Sequence, residues 1–219
     1  DIEAPVLTLP ILNEEQRKKV IATSSGPVVV HDAALLTLPS LFDAQSGKTP
    51  DAVALIYEDV HLSYGALASR SNQLARYLID RGVGPDDVVA ILLDRSFEMI
   101  VAMLGVLKAG GTYQPLDPEY PAQRLSFMIG DSGAVFVISD GDLYAGLDTQ
   151  DAVLPPQIDV YDKGLIKSLQ SLPDGVIAAS ERIAPLQPDH LAYLIYTSGS
   201  TGTPKGAGNT YKGVSNSLS

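Results

Sequence analysis

The 219-residue chain has no cysteine and no tryptophan. Without thiols there is no disulfide framework, no thiolate zinc site and no cysteine nucleophile. A cytoplasmic location suits such a chain and is the expectation. Histidine is nearly as scarce. His31, His61 and His190 are scattered, and their contexts suggest neither a metal site nor a catalytic triad. Each reads as a turn or surface residue, and no metal-ligating residue is assigned. Basic residues are few, 15 against 26 acidic ones, for a net charge of −11. That deficit argues against a nucleic-acid partner, whose phosphates need clustered Lys and Arg. No apolar run reaches the length of a membrane span. The start, Asp1-Ile-Glu-Ala-Pro5, lacks the basic residues and apolar core of a signal peptide.

What is present describes a globular protein. Hydrophobic residues make up 45% and charged residues 19%, outside the disordered range. The length allows one sizeable core or two small ones. Residues 1–40 read as a connector, punctuated by Pro5, Pro10, Pro27 and Pro39. Within it, Asn13 can cap a short charged helix over 14–21.

From Leu41 strands and helices alternate. Residues 53–57 predict a strand, and Glu58-Asp59 turns it back toward 60–62. Ser63 can cap a helix with apolar positions Tyr64, Leu67, Leu74, Leu78 and Ile79, stopped by Gly82. Residues 88–93 form a continuous apolar run, as a buried parallel strand does. Ser96 can cap a second helix carrying Phe97, Ile100, Val101, Leu104 and Leu107, ended by Gly110-Gly111. Next come a short strand at 112–114, a proline-started helix from Pro121 and a strand at 134–138. Residues 140–188 are broken by Pro155, Pro156, Pro173, Pro185 and Pro188. They read as variable surface structure, with a short helix within 160–172 and room for a small edge element. The expected fold is α/β, a mostly parallel sheet with flanking helices.

The most informative stretch is Leu191-Ala-Tyr-Leu-Ile-Tyr-Thr-Ser-Gly-Ser-Thr-Gly-Thr-Pro-Lys-Gly206. A β-favouring run over 191–196 leads into Thr197, Ser198, Gly199, Ser200, Thr201, Gly202 and Thr203, then Pro204 and Lys205. Glycines let a backbone approach a ligand closely. Successive N–H groups can form an anion-binding concavity. The hydroxyls offer donors to phosphate oxygens, and Lys205 supplies a mobile positive charge. The loop is expected at the carboxyl end of a strand, where ligands of open α/β sheets bind. It is not a Walker loop: the fifth position after Gly199 is Pro204, and Gly206 comes directly after Lys205. Taken residue by residue, the same composition also describes an ordinary solvated loop.

Taken whole, the string resembles the phosphate-binding core motif of nonribosomal peptide synthetase adenylation domains, within the adenylate-forming enzyme superfamily. Leu62-Ser-Tyr-Gly-Ala-Leu67 is similar to the first core motif of that family. Leu107-Lys-Ala-Gly-Gly-Thr-Tyr-Gln-Pro-Leu-Asp-Pro118 is similar to the second. The run Pro118-Glu-Tyr-Pro-Ala-Gln-Arg-Leu-Ser-Phe-Met128, with Asp131-Ser-Gly-Ala134 behind it, is typical of the peptide synthetase branch. Gln114 departs from the pattern, which usually has an aliphatic residue there. So does the stretch after Gly208, where a histidine is commoner.

The resemblance implies an N-terminal part of an adenylation domain over 41–219, preceded by an interdomain linker over 1–40. It implies ATP-dependent activation of a carboxylic acid, an amino acid, as an acyl-adenylate for loading onto a carrier protein. Thr197, Ser198, Gly199, Ser200, Thr201, Gly202, Thr203 and Lys205 are then the ATP-phosphate contacts, with Lys205 as the catalytic cation. Mg2+ would accompany ATP on ligands mostly outside this chain, and phosphopantetheine would sit on the carrier domain. The implied partners are the rest of the adenylation domain, the carrier domain and an upstream condensation domain. The later motifs of the family, including its acid pocket and C-terminal lysine, are not found before Ser219, so this stretch alone is expected to be inactive. Lys108, Gly110, Gly111, Pro115 and Asp117 read as structural. Two other readings stay open: part of an acyl- or aryl-CoA ligase, and a non-catalytic split fragment that packs against a partner.

Overall fold

The computed structural model describes residues 13–24, 37–149, 153–198 and 204–217. The described residues divide into two units, with the boundary between His31 and Asp32. In the first, helix α1 (Glu14–Ser24) opens with a reciprocal cap. Gln16 N donates to Asn13 Oδ1 at 2.8 Å, and Asn13 N donates to Gln16 Oε1 at 2.9 Å.

The second unit begins with helix α2 (Leu38–Lys48), whose first turn falls inside the expected connector. Thr37 caps it through its hydroxyl, and Pro39 occupies the first turn, where a missing N–H costs nothing. Strands β1 (Val53–Tyr57) and β2 (Val60–Ser63) form a separate antiparallel hairpin. Helix α3 (Tyr64–Asp80) starts on the Ser63 hydroxyl, which accepts from Ala66 N at 3.2 Å. Helix α4 (Phe97–Ala109) starts on Ser96, which accepts from Met99 N. Gly82 (φ 89°) and Gly110 (φ 104°) take the chain out of these helices in the left-handed region.

The main sheet has the order β6-β5-β3-β4-β7-β8. Its members are β3 (Val88–Leu92), β4 (Thr112–Leu116), β5 (Phe136–Ser139), β6 (Gln157–Asp159), β7 (Leu191–Thr197) and β8 (Lys205–Thr210). All pairings are parallel except that of β7 with β8. Every residue of β3 is buried, and its side chains divide between two cores. Val89 and Ile91 join Leu74, Leu78, Val106 and Ala109 on the α3–α4 face. Ala90 and Leu92 join Leu125, Met128 and Ile129 of helix α5 (Ala122–Asp131) on the other. The result is an α/β sandwich with helices on both sheet faces, as expected from the alternation.

Gln114 points a polar side chain into this interior, where both its amide nitrogen and its amide oxygen find a partner. Its Nε2 donates to Met128 O at 3.1 Å, and its Oε1 accepts from Ser132 Oγ at 2.7 Å. The amide thus links β4 to the end of α5, which an aliphatic residue could not do.

The 140–188 region holds more regular structure than its prolines suggest. It contains helix α6 (Gly141–Ala145), the edge strand β6 and helix α7 (Lys163–Gln170). The last two answer to the anticipated edge element and short helix. Beyond α7, the segment 172–181 is tied to α3. Arg76 of α3 donates to the carbonyls of Pro173 and Gly175 at 2.7 and 2.8 Å and pairs with Glu181 at 2.7 Å. Asn72 Nδ2 donates to Asp174 O at 2.7 Å, and Ile177 is buried. Polar side chains of a neighbouring helix do here what a strand ladder does elsewhere.

Candidate functional site

The described ends of the glycine/hydroxyl motif lie on two paired strands, β7 and β8. β7, with two tyrosines, Ile195 and Thr197 favouring extended backbone, runs from Leu191 to Thr197. β8 returns antiparallel to it, with Tyr196 opposite Gly206 and Thr197 opposite Lys205. Thr197 and Lys205, eight positions apart in sequence, are therefore cross-strand partners. Thr197, Ser198 and Lys205 are all exposed. None of the ion pairs among the described residues involves Lys205. Gly199, Ser200, Thr201, Gly202 and Thr203, the centre of the expected phosphate loop, lie outside the described residues.

Glycine at 206 permits a close approach of the two strands' side chains. A Cβ there would stand 3.1 Å from Leu194 Cδ1 and 3.3 Å from the Tyr196 ring carbon Cζ. The bare backbone lets β8 lie under the aromatic ring of its partner strand. β8 leads into helix α8 (Tyr211–Ser217), whose Tyr211 is completely buried. Its hydroxyl donates to Leu107 O at 3.2 Å. Burial raises its phenol pKa well above the ordinary value.

An open cleft of about 740 Å³ lies at the carboxyl ends of β3, β4 and β7. Leu93, Asp94 and Arg95 reach it from β3, Pro115 to Tyr120 from β4, and Ile195 and Tyr196 from β7. The position is the one that open α/β sheets use for ligands. A tighter cavity of about 280 Å³ lies between α3, α4 and α7, crossed by the 2.6 Å Arg70–Glu98 pair. No residue of β3, β4 or β7 lines it, so location favours the open cleft as the ligand site.

Tyr196 does not stand out in the sequence beyond its place in the strand. It is 9% exposed and packs among Leu92, Leu116, Met128 and Ile129. Its hydroxyl donates to Asp131 Oδ2 at 2.6 Å. Burial, and then the hydrogen bond to Asp131, raise the phenol pKa strongly, so Tyr196 stays a donor. No local sequence signal pairs residues 65 positions apart.

Lys108 is placed elsewhere and differently. It is fully buried, with Nζ 2.5 Å from Asn72 Oδ1 and 2.9 Å from Asp43 Oδ1. The Asp43 contact is a close ion pair. Nζ also lies 4.8 Å from the centre of the Phe42 ring. Desolvation lowers its pKa, and Asp43 opposes that shift. This lysine joins α2, α3 and α4, consistent with a structural reading. His190 accepts from Gln187 N at 3.0 Å and shapes a turn.

With the hairpin and cleft described, the class is clear: the chain belongs to the AMP-binding enzyme family, whose model matches residues 42–219. It is 45% identical over 169 residues to a dimodular nonribosomal peptide synthase of Bacillus subtilis (strain 168), covering 77% of this chain and 7% of that protein. It is 39% identical over 210 residues to tyrocidine synthase 3 of Brevibacillus parabrevis, covering 96% of this chain and 3% of that protein. The chain thus spans only a few per cent of the curated relatives it matches. Among solved structures it resembles the nonribosomal peptide synthetase FmoA3 in its AMPPNP-bound form. That match has a TM-score of 0.74 and 27% identity over 94% of this chain and 20% of the other.

Proposed function

We propose that the protein carrying this chain activates an amino acid with ATP, and that residues 197–205 grip the β- and γ-phosphates. The carboxylate attacks the α-phosphorus, and the bond to the bridging oxygen breaks, giving an acyl-adenylate and pyrophosphate. Such a site must neutralise the triphosphate and hold both reactants in line. The observation that carries the reading is the pairing of Thr197 with Lys205 across β7 and β8, beside a cleft at the strand ends. Exposed hydroxyls and an unengaged ammonium suit phosphate oxygens. In this reading Thr197, Ser198, Ser200, Thr201 and Thr203 supply hydroxyl contacts, Gly199 and Gly202 supply close backbone approach, and Lys205 is the catalytic cation.

Among the described residues no group of three or more metal-ligating side chains converges. No step is therefore assigned to Mg2+, whose ligands are proposed to lie mostly outside this chain. The same proposal makes residues 1–40 a linker from an upstream condensation domain and 41–219 part of an adenylation domain. It places the product on a phosphopantetheine-bearing carrier domain, in the cytoplasm. The test is ATP–pyrophosphate exchange by the full-length protein against the proteinogenic amino acids and a panel of fatty and aryl acids. Exchange that depends on an amino acid is expected. Exchange only with fatty or aryl acids would move the protein to the CoA-ligase reading, and no exchange with any acid would favour a packing fragment.

A further inference from the structure

We infer that Tyr196 and Asp131 are positioning residues that fix the strand end from which the phosphate loop departs. The inference rests on the phosphate-binding reading of residues 197–205. β7 and β4 share a single register pair, Tyr113 with Tyr193. One further bond, from Thr112 Oγ1 to Leu191 O at 3.1 Å, lies on the amino side of that pair. Beyond Tyr193, the half of β7 that leads to the loop is paired, among the described residues, only with β8, the last strand of the sheet. β4 contributes Pro115 in this stretch, and proline has no N–H to donate. The ladder stops here, and the cleft lies at the ends of these strands.

A strand end with a ladder on one side only needs another anchor if the loop beyond it is to be placed within a fraction of an ångström. The Tyr196 hydroxyl provides one. It ties the residue before Thr197 to Asp131, the last residue of α5. Leu125, Met128 and Ile129 bury α5 against the sheet, so Asp131 is a fixed point. On the other side of the hairpin, the same ring rests against Gly206, next to Lys205. One aromatic side chain thus registers both ends of the loop. Core packing alone does not explain the hydroxyl. A phenylalanine would fill the same apolar space but could not reach Asp131, which stands exposed at the end of α5. The hydroxyl adds direction, and a catalytic contact misplaced by about 1 Å can lose a hundredfold in rate.

The test uses the full-length protein with Tyr196→Phe, Asp131→Ala, the double variant, Asp131→Asn and, in parallel, Lys205→Ala. ATP and AMP affinities are measured by titration calorimetry, and melting temperatures by scanning calorimetry. Tyr196→Phe and Asp131→Ala should each weaken ATP about tenfold while AMP stays within about twofold, because only ATP reaches the loop. The double variant should be no worse than either single one, as expected for one shared contact. Asp131→Asn should recover most of the loss, since its amide oxygen still accepts from the phenol. Suppose instead that Lys205→Ala weakens ATP but Tyr196→Phe and Asp131→Ala do not. The positioning role then falls and the phosphate reading stands. A lower melting temperature with equal weakening of ATP and AMP would mean a purely structural contact, and would also overturn it. If neither Lys205→Ala nor Tyr196→Phe changes ATP affinity, both readings fall.

Discussion

Lys108 and Lys205 both stand in glycine-rich stretches of similar appearance, Lys-Ala-Gly-Gly and Pro-Lys-Gly, yet the fold treats them in opposite ways. Lys108 is sealed between three helices with its ammonium against Asp43, Asn72 and the Phe42 ring. Lys205 stands exposed on an edge strand, opposite a threonine. A charge that is buried must bring its partners with it, because desolvation is costly. A charge that will meet a ligand must wait in water, with its partner still to come. The difference teaches that a motif's composition does not say whether it serves the fold or the chemistry. The surroundings of its charge do.

The largest effect should come from the buried side. Lys108→Met leaves Asp43 without its cation and should cost about 3–5 kcal/mol of stability, read from the midpoint of denaturant unfolding. Adding Asp43→Leu should recover most of that, since a well-packed apolar pair often equals a buried ion pair. If Lys108→Met alone is neutral, the structural half of the comparison fails.

Lys205→Ala should do the reverse. It should weaken ATP by about 1.5–3 kcal/mol, the usual worth of a charge-assisted contact. It should leave stability within about 0.5 kcal/mol, as surface substitutions generally do. A melting temperature that falls along with ATP affinity would blur the distinction.

A smaller effect tests whether long-range anchoring belongs with the fold. Arg76→Ala removes the donors to Pro173, Gly175 and Glu181 and should cost about 1–2 kcal/mol. Proteolysis should then cut within 172–181, while ATP affinity is unchanged.

The smallest effect is the pH dependence of the same anchor. The hydrogen bond from Arg76 lowers the Glu181 pKa below its ordinary value. Its stabilisation is therefore present above the unfolded value of 4.5 and lost as pH falls through the lower folded value. Because the Glu181 side chain is 35% exposed, solvent screening should hold the loss under about 1 kcal/mol. It should appear in wild type and vanish in Arg76→Ala when unfolding is tracked from pH 6 to 3.

Much of this could be read from the chain, for local reasons. Ser63 and Ser96 announce their helices, Gly82 and Gly110 end them, and the run at 88–93 is too uniformly apolar to be an edge. Thr37 and Pro39 carry an equally good start signal for α2, hidden by the prolines around them. β8 has no such signal. Lys-Gly-Ala-Gly-Asn-Thr has neither alternation nor strand preference, and it is a strand because β7 offers it an edge. The contacts of Arg76 with 173–181 and of Tyr196 with Asp131 join residues far apart in sequence, where periodicity carries no information. For the site, the hydroxyl/lysine motif and its place at a strand end were legible. The cleft beside it and the tyrosine that anchors it needed three dimensions.

The division of labour between the two lysines is tested most directly by calorimetric titration of ATP and of AMP into full-length protein carrying Lys205→Ala or Lys108→Met. Lys205→Ala should raise the Kd for ATP about ten- to a hundredfold and leave that for AMP within about twofold, because AMP lacks the phosphates that the loop is proposed to grip. Lys108→Met, studied where it remains folded, should leave both affinities within about twofold. An unchanged ATP affinity in Lys205→Ala, or an equal loss of ATP in Lys108→Met, would contradict the account.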